Sequence, residues 1–270
     1  MKYPIVILSK ERPDQLRDMV RSIEDRTDPD TYRLIICDNA STQKKMVEYL
    51  HVLSKKHKVI HNPSNNGFEG FNPGLDEIDE EFFFLTDPDI ILNKQIPQHW
   101  VLRFVHAMKT VMSPKMGVAL DTSCLDLKDS FQRQVVERER EYWEQAGTID
   151  IPSFQAPCYL APVDTTLAIY RRDTYKFWVD QKLHFYYGDG ISPSKQVHQN
   201  EYNEKYYIPT IRVAGNYTCQ HTGWVMRDKY QNDFEYYKEN CDLELASTTK
   251  WQMSGKRLDG VESKKREMYG

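Results

Sequence analysis

Apolar residues along the first 120 positions come in short runs, and most runs are followed by a stretch in which they recur every three or four residues. "YPIVIL" (3–8) predicts a strand, and in "RPDQLRDMVRSIEDR" (12–26) Leu16, Met19, Val20 and Ile23 share one face of a helix. "YRLIIC" (32–37) and "TQKKMVEYLHVLSKK" (42–56) repeat the pair. "KVIHN" (58–62) is a third strand, followed by a polar loop rich in Asn and Gly and a short helix, "PGLDEI" (73–78). "EFFFLT" (81–86) is a fourth strand, "PQHWVLRFVHAMKTVM" (97–112) another helix and "MGVAL" (116–120) a fifth strand. Strictly alternating β and α units predict an α/β fold with a twisted, mainly parallel sheet and helices on both faces.

Beyond residue 125 the pattern loosens. "SFQRQVVEREREYWEQ" (130–145) reads as a charged, solvated helix, and "CYLAPVDTTLAIYRR" (158–172) as one or two strands. "IRVAGNYTCQHTGW" (211–224) reads as two strands joined at Ala214–Gly215, followed by a helix in "RDKYQNDFEYYKENC" (227–241). With no Pro/Gly/Ser linker between the halves, the expectation is one domain over 1–253, in which 126–253 covers 1–125, and a polar, mobile tail at 254–270.

Composition narrows the classes. No apolar run approaches the ~20 residues of a membrane-spanning helix, and "MKYPIVILSKERPDQ" has too short an apolar stretch for a secretory signal. A net charge of -4 does not suit nucleic-acid wrapping. The five cysteines are scattered, without C-x-x-C spacing, which favours a reduced, cytoplasmic setting over disulfides or a zinc cluster.

In open α/β sheets ligands bind beyond the carboxyl ends of the strands, so "SKERP", "DNAS", "NPSNNGFEGFNPG" and "TDPD" should converge on one crevice. A turn at Pro88 can bring Asp87 and Asp89 towards one hard cation, Mg2+ or Mn2+, although Asp-Pro-Asp is also ordinary turn chemistry. Asp38 can accept from a base or ribose, while Asn39, Ser41 or Thr42 can cap the next helix. Asn65, Asn66 and Gly67 permit left-handed turns, and Asn72 before Pro73 suits a helix start that would cradle phosphate, or simply a tight loop. No Walker loop, dinucleotide fingerprint or nucleophile elbow is present.

The order strand-"SKERP", strand-"DNAS", "NNGFEGFNPG", strand-"TDPD" resembles the donor half of GT-A glycosyltransferases, closest to family 2, over about residues 1–125. The resemblance implies a GT-A (Rossmann-like) fold with an irregular acceptor-side half, and a nucleotide-diphosphate sugar donor. It implies base contact for Asp38, nucleotide contact for Ser9 and Arg12, and the ribose-and-metal DxD pair for Asp87 and Asp89. Asn66, Gly67 and Asn72 join the donor-binding set. His221 in "CQHTGW" would be a third metal ligand and Trp224 an acceptor wall, each of which also has a plain structural reading. "FYYGDG" is similar to the family's Tyr-x-Glu-Asp segment, but Gly188 replaces the glutamate, so Asp164 and Asp189 are both candidates for the base.

The implied reaction moves one sugar to a hydroxyl acceptor, a glycan or lipid-linked saccharide, with inversion and without processivity, since Q-x-x-R-W is absent. Basic residues in the tail would suit peripheral contact with anionic lipid at the inner face of a membrane. The rivals are a sugar-nucleotide nucleotidyltransferase and a non-catalytic sugar- or nucleotide-binding module of the same fold.

Overall fold

A computed structural model of the chain describes residues 1–111, 113–144, 146–161, 163, 167–175, 210–225 and 228–240. Its strands are β1 (Tyr3–Ser9), β2 (Tyr32–Asp38), β3 (Lys58–His61), β4 (Phe82–Thr86), β5 (Ile90–Leu92), β6 (Lys115–Leu120), β7 (Thr148–Ile149), β8 (Cys158–Tyr159), β9 (Ala168–Arg171) and β10 (Ile211–His221). The α-helices are α1 (Pro13–Arg26), α2 (Lys44–Leu53), α3 (Asn72–Leu75), α4 (Trp100–Thr110), α5 (Ser130–Glu144), α6 (Thr222–Val225) and α7 (Gln231–Asn240). Among the described residues none forms a helix long and apolar enough to cross a membrane.

The strands form one twisted sheet in the order β3-β2-β1-β4-β9-β6-β10-β8-β7, with β5 paired to β10. β3, β2, β1 and β4 run parallel, as the alternating units require. β9 enters from later in the chain and lies antiparallel between β4 and β6, while β6 and β10 are again parallel.

Burial on both faces explains why the strands read as continuous apolar runs. In β4, Phe82 and Phe84 point into the larger core with Leu16, Met19 and Ile23 of α1, Met46 and Leu50 of α2, and Trp100 and Phe104 of α4. Phe83 and Leu85 point the other way, onto Phe71, Ile78 and Tyr170. Phe84, Trp100, Phe104, Phe154 and Tyr217 continue edge-to-face with ring centroids 4.8–6.2 Å apart.

Three local expectations change. The segment read as two strands meeting at Ala214–Gly215 is the single strand β10, whose register against β6 shifts between Val213 and Thr218. Gly215 adopts φ +63 there, so the glycine marks a bulge rather than a hairpin. β5, three residues long, was not foreseen; it pairs Ile90 with His221 and Leu92 with Cys219. The charged helix α5 is not solvated all round, because Glu139 is buried against Arg212 of β10.

Candidate functional site

The parallel strands end in a row of polar residues. Ser9, Asp38 and His61 occupy one register row across β1, β2 and β3, and Thr86 ends β4 one strand beyond β1. Helices α1 and α2 begin just after β1 and β2, so the crevice is rimmed by their first turns.

At the outer end, the Asp38 carboxylate is almost wholly buried. It accepts from the Ser41 N–H at 3.3 and 3.4 Å and lies 3.2 Å from Nδ1 of His61, whose side chain is 60% exposed. The residues read as helix caps serve other ends. Asn39, buried, donates to Asn65 Oδ1 and the Gly67 carbonyl, and accepts from Asn62 and the Asn66 N–H, fixing the loop after β3. Gly67 takes φ +55 in that loop.

The start of α2 is held by Glu11, fully buried at φ +50, which accepts from the Thr42 and Gln43 N–H groups at 2.5 and 2.9 Å and from the Thr42 hydroxyl. Asn72 does not start a free helix. The 3-10 turn Gly67–Phe71 runs straight into α3, and the Asn72 N–H is spent on the Glu69 carbonyl, so no open helix amino terminus faces the crevice there.

At the inner end, the chain leaves β4 at Thr86, passes Asp87 and turns at Pro88–Asp89 into β5. Asp89 is 5% exposed. Its Oδ2 accepts from Arg12 Nη1 at 3.1 Å and lies 3.8 Å from His221 Nε2, while Oδ1 is buried with no hydrogen-bond partner. The β5–β10 pairing brings His221 here, and the Asp89 carbonyl accepts from the Thr222 N–H and hydroxyl. Gly223 leaves the space: a Cβ on it would stand 3.1 Å from both Asp89 Oδ2 and His221 Cε1.

Burial by itself would push the Asp89 carboxyl up. The positive charges of His221 and Arg12, with hydrogen bonds to the backbone and to Arg12, outweigh it and hold the group below the usual carboxylate range. Burial likewise works against the Arg12 guanidinium, but Asp89, Tyr237, Asp87 and Asp233 raise it.

Helix α7 closes over this corner, which sequence reasoning missed. The Tyr237 ring lies 4.8 Å from the Arg12 guanidinium carbon. Asp233 Oδ2 accepts from the Asp14 and Gln15 N–H groups at 2.7 and 3.1 Å, capping α1 from more than 200 residues away. Burial is the main cause that raises the Asp233 carboxyl above its ordinary range, against the Gln15 bond that lowers it. A raised folded value means the native state binds more protons than the unfolded chain. That contribution is complete below the unfolded pKa and is lost as pH climbs through the folded one. Asp233→Asn, which keeps an acceptor oxygen, should remove this slope, whereas Asp233→Ala should cost about 1–2 kcal/mol at pH 7; urea titrations from pH 4 to 8 measure both.

The structure thus brings Ser9, Arg12, Asp38, Asp87, Asp89 and His221 to one rim. Asn66 and Gly67 lie in the loop beyond it, and Asn72, exposed, begins α3. Asp164 and Asp189 lie outside the described residues; Trp224 belongs to α6, but its side chain is outside them too. The missed residues are Glu11, His61, Asn62 and Asp233, with Asn39 read only as a helix cap, and the acid in "SKERP" and the first Asn of "NPSNN" were the available signals.

Residues 5–112 match the model of Glycosyl transferase family 2. None of the curated proteins compared matches the chain. Among solved structures, the S. aureus TarS 1-349 complex with UDP is 15% identical at a TM-score of 0.45, over 68% of this chain and 50% of that one. The chain therefore spans half the length of that relative. The mannosyltransferase PcManGT of Pyrobaculum calidifontis, solved with GDP-Man and Mn2+, is 12% identical at a TM-score of 0.48, over 89% of this chain and 65% of that one. A CMP:2-keto-3-deoxy-manno-octonic acid synthetase with CTP is 11% identical at 0.42, over 80% and 91%. The sheet with its flanking helices is an α/β fold, and residues 5–112, which supply the loops after its first four strands, match the pattern of Glycosyl transferase family 2.

Proposed function

We propose that the chain transfers a single sugar from a nucleotide-diphosphate sugar to a hydroxyl acceptor, a glycan or a lipid-linked saccharide. The observation that carries this reading is the family 2 pattern over 5–112, the segment that builds most of the strand-end rim. In it, Ser9 and Asp38 receive the nucleoside, Asp87 the ribose, and Arg12 and Asp89 flank the diphosphate.

The residues at Asp89 fit a divalent cation. Oδ1 is a buried acceptor without a partner, and His221 Nε2 stands beside Oδ2. Among the described residues no three His, Cys, Asp or Glu side chains gather as a metal site, so these side chains alone do not complete an ion's shell and the donor's phosphates would have to supply the rest. Asp89 and His221, with Asp87 alongside, would hold Mn2+ or Mg2+. A cation bound there supplies positive charge against the departing phosphate. Arg12 adds a fixed positive charge at the same corner, preorganised by Asp89 and Tyr237. Asp164 or Asp189 takes the acceptor proton, in-line attack inverts the anomeric centre, and Trp224 walls the acceptor.

The test is a melting-temperature screen of nucleotide sugars with and without Mn2+, followed by product analysis. A donor that raises Tm and is then transferred or hydrolysed supports the proposal. Pyrophosphate release would identify a nucleotidyltransferase instead, and binding without turnover a binding module.

A further inference from the structure

The end of α1 far from the crevice borders a cavity of about 310 Å3, whose lining includes Arg26, Ile91, Lys94, Asp121 and Gln220. We propose that it binds an anionic sugar, a uronate or a sugar phosphate, with the oxyanion on Arg26 and Lys94 and hydroxyls on Asp121 and Gln220. Arg12 and Arg26 stand at opposite ends of the 14-residue helix, about 20 Å apart. The site is therefore separate from the donor corner, and the inference goes beyond the transfer reading.

Three observations carry it. First, the fold aims the Arg26 guanidinium. Both backbone groups of Leu92 are taken by α1: its N–H donates to Ser22 Oγ at 3.3 Å, and its carbonyl accepts from Arg26 Nη1, one helical turn further on. That bond uses one of the five N–H groups. Among the described residues the Nε–Nη2 edge makes no hydrogen bond, and this is the fork that takes a carboxylate or phosphate bidentately.

Second, the cations here lack counter-charge. Among the described residues neither Arg26 nor Lys94 forms an ion pair. Burial draws the Arg26 guanidinium below its ordinary value, and only the charge of the exposed Asp25 works against that. A cation in the last turn of a helix suits the helix dipole. That attraction does not require a half-buried guanidinium beside a cavity, whose desolvation a bound anion would offset.

Third, the rest of the lining suits a sugar. One carboxylate against two cations leaves the lining net positive. Asp121 Oδ1 accepts from the Ser123 N–H at 2.9 Å, and Oδ2 is left to accept from a hydroxyl. The half-buried Gln220 amide offers a donor and an acceptor, and Ile91 an apolar wall. The volume sits at the small end of the roughly 300–1,000 Å3 of ligand pockets, room for one sugar ring.

Calorimetric titration of glucuronate, glucose 6-phosphate, glucose and inorganic phosphate into the full chain tests this. At least one of the two anionic sugars should bind about tenfold or more tightly than both glucose and phosphate, and the tighter of the two names the oxyanion. Arg26→Gln should weaken that binding about tenfold or more. Lys94→Gln, on an exposed side chain, should weaken it about threefold with the melting temperature unchanged. Phosphate binding as tightly as the better sugar would mean an adventitious ion only. Binding that survives both substitutions would belong elsewhere, the donor crevice included. Either result, or no binding by either anionic sugar, would overturn the inference and leave the glycosyltransferase reading to its own test with nucleotide sugars.

Discussion

On the proposed function, Asp89→Asn should lower sugar transfer by about 100- to 1,000-fold, the scale of removing one preorganised electrostatic group from a reacting centre. The same change should also weaken the fold. Arg12 is 21% exposed at its side chain and Asp89 7%, so the single substitution leaves a largely buried guanidinium without its counter-charge, although the amide oxygen can still accept from it. Breaking such a pair costs up to about 3–5 kcal/mol when fully buried, and less here because Arg12 keeps some solvent. The two effects separate in Arg12→Gln/Asp89→Asn, which should recover most of the urea midpoint and none of the rate. Wild-type turnover in Asp89→Asn with Mn2+ present would end the metal-and-diphosphate assignment. The Asp89 carboxyl is depressed, so its contribution to stability is full above the unfolded pKa and is lost as pH falls through the lower folded one. Asp89→Asn should therefore flatten the acid limb of the stability profile, in the region below about pH 4.

A loss of about 3–5 kcal/mol is expected on cutting either partner of the Arg212–Glu139 pair, measured as a shift in urea midpoint at constant slope. Both side chains are nearly sealed from solvent, at 3% and 5% exposure, and the guanidinium donates directly to Glu139 Oε2. Arg212→Ala strands a carboxylate between α5 and the start of β10; Glu139→Ala strands a guanidinium. Arg212→Met/Glu139→Leu removes both charges and keeps the volume. It should come within about 1–2 kcal/mol of the wild type, or exceed it, because the desolvation cost goes with the pair. A double variant as weak as the singles would mean that the charges support neighbouring polar groups.

The regular elements were legible because each has its own period. Leu16, Met19, Val20 and Ile23, placed on one helix face from spacing alone, are all buried at 0–1%. Strands buried on both faces announce themselves as apolar runs, and "FFFLT" did so. What escaped was set by partners distant in sequence. β5 is too short to carry a period and exists only against Cys219–His221. Gly215 carries the same local signal whether it turns a hairpin or bulges a strand, and β6 and β8 beside it decide. Ser41 and Thr42 had the right chemistry for a cap, yet Glu11, 31 positions earlier, takes the Thr42 N–H. Of the rim, Asp38, Asp87 and Asp89 could be read from their places at strand ends; His61 and Asp233 needed the sheet order and the docking of α7.

The insertion of β9 between β4 and β6 has a consequence for the chain as it is made. β4 pairs with β1 on one side, but its other edge waits for Ala168–Arg171. At about 5–20 residues per second, a ribosome needs roughly 4–16 s to travel from Thr86 to Ala168. For that interval a nascent sheet carries an open edge on Phe82–Thr86, an uncharged, aromatic strand of the kind that recruits other strands. Trouble in producing this protein should therefore originate at the ribosome rather than in the finished molecule, and slower growth or a holding chaperone should raise the soluble yield more than any stabilising substitution.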